Sequence, residues 1–343
     1  MQSTRDREST AAGQTPCEPL SQEALQDFLS RSLGDGRSPA RIEVLERRVT
    51  KRRCDWRGAR LFERLTVRTP SGETPGLFLK YRRRHPDPAA LVAPMDREAR
   101  VYREVLPGGP PGTAKLHGFE ERDGSTLLLL EFVTGKRLKK IEALEVWQAV
   151  AKWLARLHRH FSLRADELRA CEFLARHDGE LYSQWACRAA EAAGTVSAEA
   201  GSCLERVLSR YGRVAGLLGG APATLIHGEF YCTNLIVSGE PESLRVCPFD
   251  WETAASGCGA LDLTYLLRQR LGIDEPSLIR AYLDGWREPG GRDLSREELE
   301  AQIVAARAHE LLCRLWSRIH CRETPPEKIG RYAEKLKGYL DRL

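Results

Sequence analysis

Leu225–Glu252 reads LIHGEFYCTNLIV, then SGEPESL, then RVCPFDWE. Leu235–Val237 and Val246–Phe249 are short apolar runs with the length of strands. The SGEPESL interval between them is rich in turn formers, so the two runs predict a hairpin-like pair. Glu229 and Asn234 stand five positions apart ahead of the first run, and Asp250 follows the second. The pair therefore gathers two carboxylates and an amide. Such hard oxygen donors suit Mg²⁺ and the orientation of a hydroxyl, which phosphoryl transfer requires.

This constellation resembles the catalytic core of the aminoglycoside phosphotransferase and choline kinase family, within the wider protein-kinase-like fold. The residues that carry the resemblance are His227-Gly228-Glu229, Asn234 and Asp250-Trp251-Glu252. The spacing from acid to Asn is that of the kinase catalytic loop. One position departs from the pattern: Glu229 stands where the family usually has Asp. The resemblance implies an α+β, bilobal fold with an N-terminal antiparallel sheet plus helix and a larger, mostly helical C-terminal lobe. It implies ATP and Mg²⁺ as cofactors, with Glu229, Asn234 and Asp250 as the catalytic set and the metal on Asn234 and Asp250. Asp262, in GCGALDL, resembles the family's downstream Asp and is expected to brace the catalytic-loop backbone. Read alone, it is a helix N-cap. Glu252 acquires no role.

Upstream, Ile42–Leu45, Ala59–Val67 and Gly76–Tyr81 read as three strands, separated by KRRCDWRG and TPSGETPG. The third carries Lys80 after three apolar residues. A helix then spans Met95–Leu106 and ends at Pro107-Gly108-Gly109, with Glu98 bordering its apolar stripe. The resemblance makes Lys80 the holder of the α- and β-phosphates and Glu98 its ionic partner. Arg122-Asp123-Gly124 turns a second hairpin whose outgoing strand runs from Ser125 to Phe132. By the same resemblance this strand leads into the hinge, where the Glu131 carbonyl and the Val133 amide read the adenine edge and Gly135 lets the chain turn. No G-x-G-x-x-G lies between the first two strands. Lys51 or Arg53 is the candidate cover for the phosphates.

Beyond the hinge, Leu144, Trp147, Val150, Leu154 and Leu157 recur at helical spacing, and the run ends in LARLHRHF. His158 there reads as a packed structural residue, since nothing acidic or nucleophilic accompanies it. Residues 166–219 read as further helices broken near Gly194–Ser202. The part after Leu261 reads as helical with breaks near Gly285–Asp293 and Thr324–Pro326. The short interval from Asp250 to Asp262 leaves no room for a peptide-docking activation segment, which points to a small-molecule acceptor. Arg307, Arg314 and Arg318 share a face of one late helix. If that face lines the substrate site, a neutral or anionic acceptor is favoured, such as a sugar, a sugar-containing glycolipid precursor or a phosphorylated metabolite; an amino-alcohol-type acceptor is the further candidate.

The 343 residues can hold one two-lobed domain or two smaller ones, with ample core. We divide them into a disordered tail (1–19), a nucleotide-binding lobe (20–132) and a catalytic and substrate lobe (133–343). Ser21 before Gln22-Glu23-Ala24 starts a short helix holding Leu25, Phe28 and Leu29. The formal charge of +5 is mild and the basic residues are scattered, which speaks against nucleic acid as a partner. No apolar run approaches the roughly 18 residues a membrane span needs, and no signal core is present. The ten cysteines form no C-x-x-C pair, so zinc is not expected and reduced thiols in a cytoplasm are. Two functions follow: an ATP-dependent small-molecule kinase, or a catalytically weak pseudokinase acting as a nucleotide- or partner-binding regulatory module. The Glu229 departure and the missing glycine loop favour the second, whereas the intact Lys80, Glu98, Asn234 and Asp250 set counts against it and makes the kinase the leading reading.

Overall fold

A computed structural model of the protein describes residues 17–34, 42–55, 58–83, 96–110, 112–268, 272, 274–287, 293–321 and 324–343. The chain forms two compact units. One comprises residues 1–135 together with Cys247–Glu252, and the other Lys136–Val246 with Thr253–Leu343. The Asp250-Trp251-Glu252 segment thus belongs to the N-terminal unit although it lies far along the chain. No helix among the described residues is long and apolar enough to cross a membrane.

The N-terminal unit contains α1 (Gln22–Leu33), β1 (Glu43–Asp55), β2 (Gly58–Arg68), β3 (Gly76–Arg83), α2 (Arg97–Arg100), β4 (Leu116–Arg122) and β5 (Ser125–Glu131). The five strands make an antiparallel sheet in the order β1-β2-β3-β5-β4. Strand alternation gives the sheet two different faces. Leu61, Leu65, Leu77, Leu79, Tyr81, Leu127 and Leu129 pack with Leu25, Phe28 and Leu29 of α1 in one buried core. The intervening residues, including Arg60, Phe62, Phe78, Lys80 and Arg82, stand on the opposite face. Ser21 caps α1, its Oγ accepting the Ala24 N–H at 3.2 Å. Asp123 and Gly124, both at positive φ, close the β4–β5 hairpin in the backbone conformation its twist requires.

Three readings change here. Residues 1–16 of the expected tail lie outside the described residues, but Cys17 and Leu20 are ordered against the sheet. Cys17 is buried with its Sγ donating to the Ala59 carbonyl at 3.3 Å, and the Leu20 N–H donates to the Tyr81 hydroxyl at 3.2 Å. The stretch read as a loop up to Asp55 is strand: β1 and β2 stay paired from Glu43↔Arg68 to Asp55↔Gly58. β1 is an edge strand, where exposed charges replace apolar alternation and discourage strand addition. Lys51 and Arg53 are exposed on it, part of that charged edge. The helix expected from Met95 to Leu106 is also not one continuous α-helix. After α2 it widens into a π-helical turn at Val101–Val105 and tightens into a 3₁₀ turn at Leu106–Gly108, while Met95 lies outside the described residues.

The second unit is mostly helical. It contains β6 (Lys136–Arg137), α3 (Leu144–Ser162), α4 (Ala165–Ala170), β7 (Ala175–Arg176), α5 (Gly179–Val196), α6 (Ala198–Leu208), α7 (Gly212–Gly219), β8 (Ala223–Ile226), β9 (Leu235–Ser238) and the first half of β10 (Arg245–Pro248), whose Cys247 and Pro248 belong to the first unit. There follow β11 (Ala255–Cys258), α8 (Ala260–Leu267), α9 (Glu275–Trp286), α10 (Arg296–Cys321) and α11 (Pro326–Leu340). The anticipated strand pair is β9 and β10, in a small sheet ordered β10-β9-β6. A second small sheet, β7-β11-β8, places β8 beside the strand that follows the D-W-E turn. Ser197 marks the break between α5 and α6, its Oγ accepting the Ala200 N–H at 3.0 Å.

Candidate active site

Lys80 stands on the face of β3 turned away from α1. Its Nζ donates to Glu98 Oε2 at 2.6 Å and to Asp250 Oδ1. Lys80 and Glu98 are buried, while the Asp250 side chain keeps 27% of its surface exposed. Burial alone would lower the pKa of the ammonium. The Asp250 and Glu98 carboxylates outweigh it, so the net direction is upward and Lys80 remains charged. Burial pushes the Glu98 carboxyl up, with the Lys80 charge opposing. Asp250 has φ +73°, a left-handed backbone that residues other than glycine seldom adopt. Trp251 beside it is fully buried, with its indole N–H donating to the Pro248 carbonyl at 3.2 Å.

Two arginines join this cluster that the sequence reading did not single out. Arg60 and Arg82, register partners on β2 and β3, are buried beside Glu252. The signal lay in the spacing, since Lys80-x-Arg82 puts a second cation on the inward face of the same strand. Phe62 and Phe78 stack on that face, ring centroids 5.9 Å apart, and the Arg64 guanidinium lies 4.3 Å over the Phe132 ring. The stretch after β5 follows directly. The Glu131 N–H donates to the Lys115 carbonyl at 2.8 Å, its carboxylate accepts the Lys115 N–H at 3.2 Å, and the Phe132 N–H donates to Gly76 at 3.0 Å. Val133 is buried and Gly135, at φ +152°, carries the turn.

In the second unit, β8 leads into His227-Gly228-Glu229. The Asp262 carboxylate accepts the His227 N–H at 2.6 Å and the Gly228 N–H at 2.9 Å. Asp262 lies inside α8 rather than capping it, so its carboxylate serves the loop. Gly228 has φ +80°, and a Cβ there would stand 2.6 Å from the Thr253 carbonyl, so only glycine fits. The Glu229 N–H donates to His227 Nδ1 at 3.2 Å, which makes Nδ1 the acceptor nitrogen of that ring. The Asn234 amide nitrogen donates to the Glu229 carbonyl at 3.1 Å, leaving its Oδ1 as the acceptor end. Glu229 and Asn234 are both half-buried.

His158 is a buried structural residue, but it has company. Its Nδ1 lies 2.8 Å from the Tyr282 hydroxyl and its Nε2 3.4 Å from Asp262, so it supports the carboxylate that braces the loop. Two of the α10 arginines are neutralised within their own unit. Arg307 pairs with Glu275 at 2.7 Å, and Arg314 with Glu310 at 2.7 Å, which also takes Arg268. Paired in this way, they offer little spare positive charge to an anionic acceptor. Between Asp250 and Asp262 the chain makes a 3₁₀ turn (Trp251–Thr253), β11 and the start of α8.

No curated protein matches the chain in sequence. Its fold is shared with solved structures of low identity. A macrolide 2′-phosphotransferase from Brachybacterium faecium superposes with a TM-score of 0.56 at 17% identity, covering 94% of this chain and 99% of that one. A spectinomycin phosphotransferase, solved in complex with ADP and spectinomycin, gives 0.55 at 11% identity over 95% and 100%. A choline kinase from Streptococcus pneumoniae gives 0.54 at 14% identity over 94% and 99%. The sequence model of the phosphotransferase enzyme family matches residues 57–299, so the chain belongs to that family.

Proposed function

We propose that the protein moves the γ-phosphate of ATP to a hydroxyl of a small molecule: a sugar, a glycolipid precursor or an amino alcohol. The observation that carries this reading is the buried contact of Lys80 with Glu98 and Asp250, with Asp250 held in a left-handed backbone. Lys80 binds the α- and β-phosphates, oriented by Glu98. The purine lies against Phe62 and Phe78, its edge read by the Glu131 carbonyl and the Val133 amide. The donors fit a hard dication, since carboxylate oxygens of Glu98, Asp250 and Glu252 lie within 4.8 Å of one another. Asp250 is the most open of the three, and with the Asn234 Oδ1 it would hold Mg²⁺. The metal supplies charge neutralisation across the phosphate oxygens. Glu229 accepts a hydrogen bond from the attacking hydroxyl and takes its proton late. The short run from Asp250 to Asp262, spent on a turn and a strand, supports a small acceptor over a peptide. The described cysteines are thiols rather than disulfides, which supports a reducing cytoplasm.

The test is purified protein with Mg·ATP and a panel of sugars, amino alcohols and aminoglycosides, read as acceptor-dependent ADP release. Turnover with one acceptor class is expected. Metal-dependent ATP binding without turnover on any acceptor would turn the reading towards the nucleotide-binding regulatory module.

A further inference from the structure

Glu252 has no task in the reaction just described, yet it is 2% exposed and two residues from Asp250. Its Oε1 lies 3.5 Å from Arg60 Nη1 and its Oε2 3.4 Å from Arg82 Nη1. The two arginines are 5% and 3% exposed, side by side on the sheet face that also carries Lys80. Three cations (Lys80, Arg60, Arg82) and three anions (Glu98, Asp250, Glu252) therefore share one interior region. A buried charge is costly unless it is paired, so each group there constrains the others. Asp250 is the member that needs constraint. A non-glycine residue at positive φ persists only where its surroundings over-determine it. Trp251 supplies one restraint by its burial and its bond to Pro248.

We propose that Glu252 is the second restraint and a positioning residue for nucleotide binding. By bridging Arg60 and Arg82 it ties the Asp250-Trp251-Glu252 turn to β2 and β3, and so holds the Asp250 carboxylate against Lys80. This rests on the phosphotransferase reading. The rival role for Glu252, a third metal carboxylate, is disfavoured by the same two guanidiniums. Ceding its oxygens to a dication would weaken its contacts to both guanidiniums and bring further positive charge beside them.

The experiment is a thermal-shift titration of the full-length protein, with ATP in EDTA and with ATP plus increasing Mg²⁺. Wild type should show an added metal-dependent shift, which Asp250→Ala abolishes. Glu252→Gln should raise the Mg²⁺ concentration at half-shift by about 10- to 100-fold, the usual effect of losing a group that orients a metal ligand, with the shift in EDTA unchanged. Arg60→Met and Arg82→Met should raise it too. Should Glu252→Gln fail to fold, Arg60→Lys and Arg82→Lys, which keep the charge, should give smaller rises in the same direction. Arginine variants that lower the half-shift concentration would identify Glu252 as a ligand and overturn the proposal. Melting temperatures that fall with no change in metal dependence would overturn it as well, leaving Glu252 a purely structural role. A wild type without any metal-dependent step overturns the phosphotransferase reading and this inference together. A normal wild-type step with unaltered variants overturns the inference alone.

Discussion

At position 229 a glutamate, one methylene longer, stands where the family usually has an aspartate. The Asp262 brace and the Asn234 bond fix the backbone around it, so the extra reach falls on the side chain alone. If Glu229 is the base proposed above, it should contribute roughly 10²- to 10⁴-fold to turnover. Glu229→Gln should lose that factor with ATP affinity unchanged, and Glu229→Asp should keep partial activity. Single-turnover kinetics beside melting temperatures for the three proteins make the check, and equal rates would remove Glu229 from the mechanism. Lys80, Glu98, Asp250 and Asn234 could be picked out beforehand because each sits in a short local pattern. Arg60, Arg82 and Glu252 could not. Their meaning comes from a strand register and a chain return that no local window contains.

Among the elements, α1 and β4 meet more closely than ordinary side chains permit. A Cβ on Gly118 would stand 2.0 Å from Ser32 Oγ and 2.6 Å from Ser32 Cβ. Gly118→Ala should therefore push α1 off the sheet and cost about 1–3 kcal/mol, the usual penalty for overpacking. Adding Ser32→Gly removes both offending atoms and should recover most of the loss. Urea midpoints of the single and double variants test this, and an undisturbed Gly118→Ala would show that α1 is loosely seated. Helix α1 was legible from its capping serine and the Leu25, Phe28, Leu29 stripe. The outer half of β1 was not, because an edge strand lined with Arg and Lys lacks the apolar alternation by which strands are recognised. β11 was missed for a related reason: Ala-Ser-Gly-Cys is small, fully buried and too short to show a period.

For the molecule as a whole, acid should be a greater hazard than base. His309 is buried, its Nδ1 2.8 Å from the Tyr211 hydroxyl and its Nε2 3.4 Å from Cys313 Sγ, with the Tyr182 ring edge-on. Burial, helped by the nearby His177, drives its pKa down to about 3. Above pH 6.5 the ring is neutral in both folded and unfolded chains and has no effect on the balance. Below that the unfolded chain gains a proton the folded one refuses, and stability falls until the pH nears 3. At pH 5 the loss is about 2 kcal/mol. His309→Gln should be less stable than wild type at pH 7.5, with the difference shrinking at pH 5; a constant gap in urea midpoints would absolve His309. The two-unit plan was legible in outline, since the strand-rich and helix-rich stretches differ in period. Hidden from any linear reading was the return of Cys247–Glu252 to the first unit. That return sets a timetable for synthesis. A ribosome releases Lys80, Arg60 and Arg82 early, but the carboxylates of Asp250 and Glu252 emerge only after all of Lys136–Val246 has been translated. At roughly 5–20 residues per second that is on the order of ten seconds. Through that interval the nascent N-terminal unit holds three inward-facing cations with Glu98 as the sole member of its carboxylate trio. Its final consolidation therefore comes late in translation, and stalled nascent chains should gain protease resistance there only once Glu252 has cleared the exit tunnel.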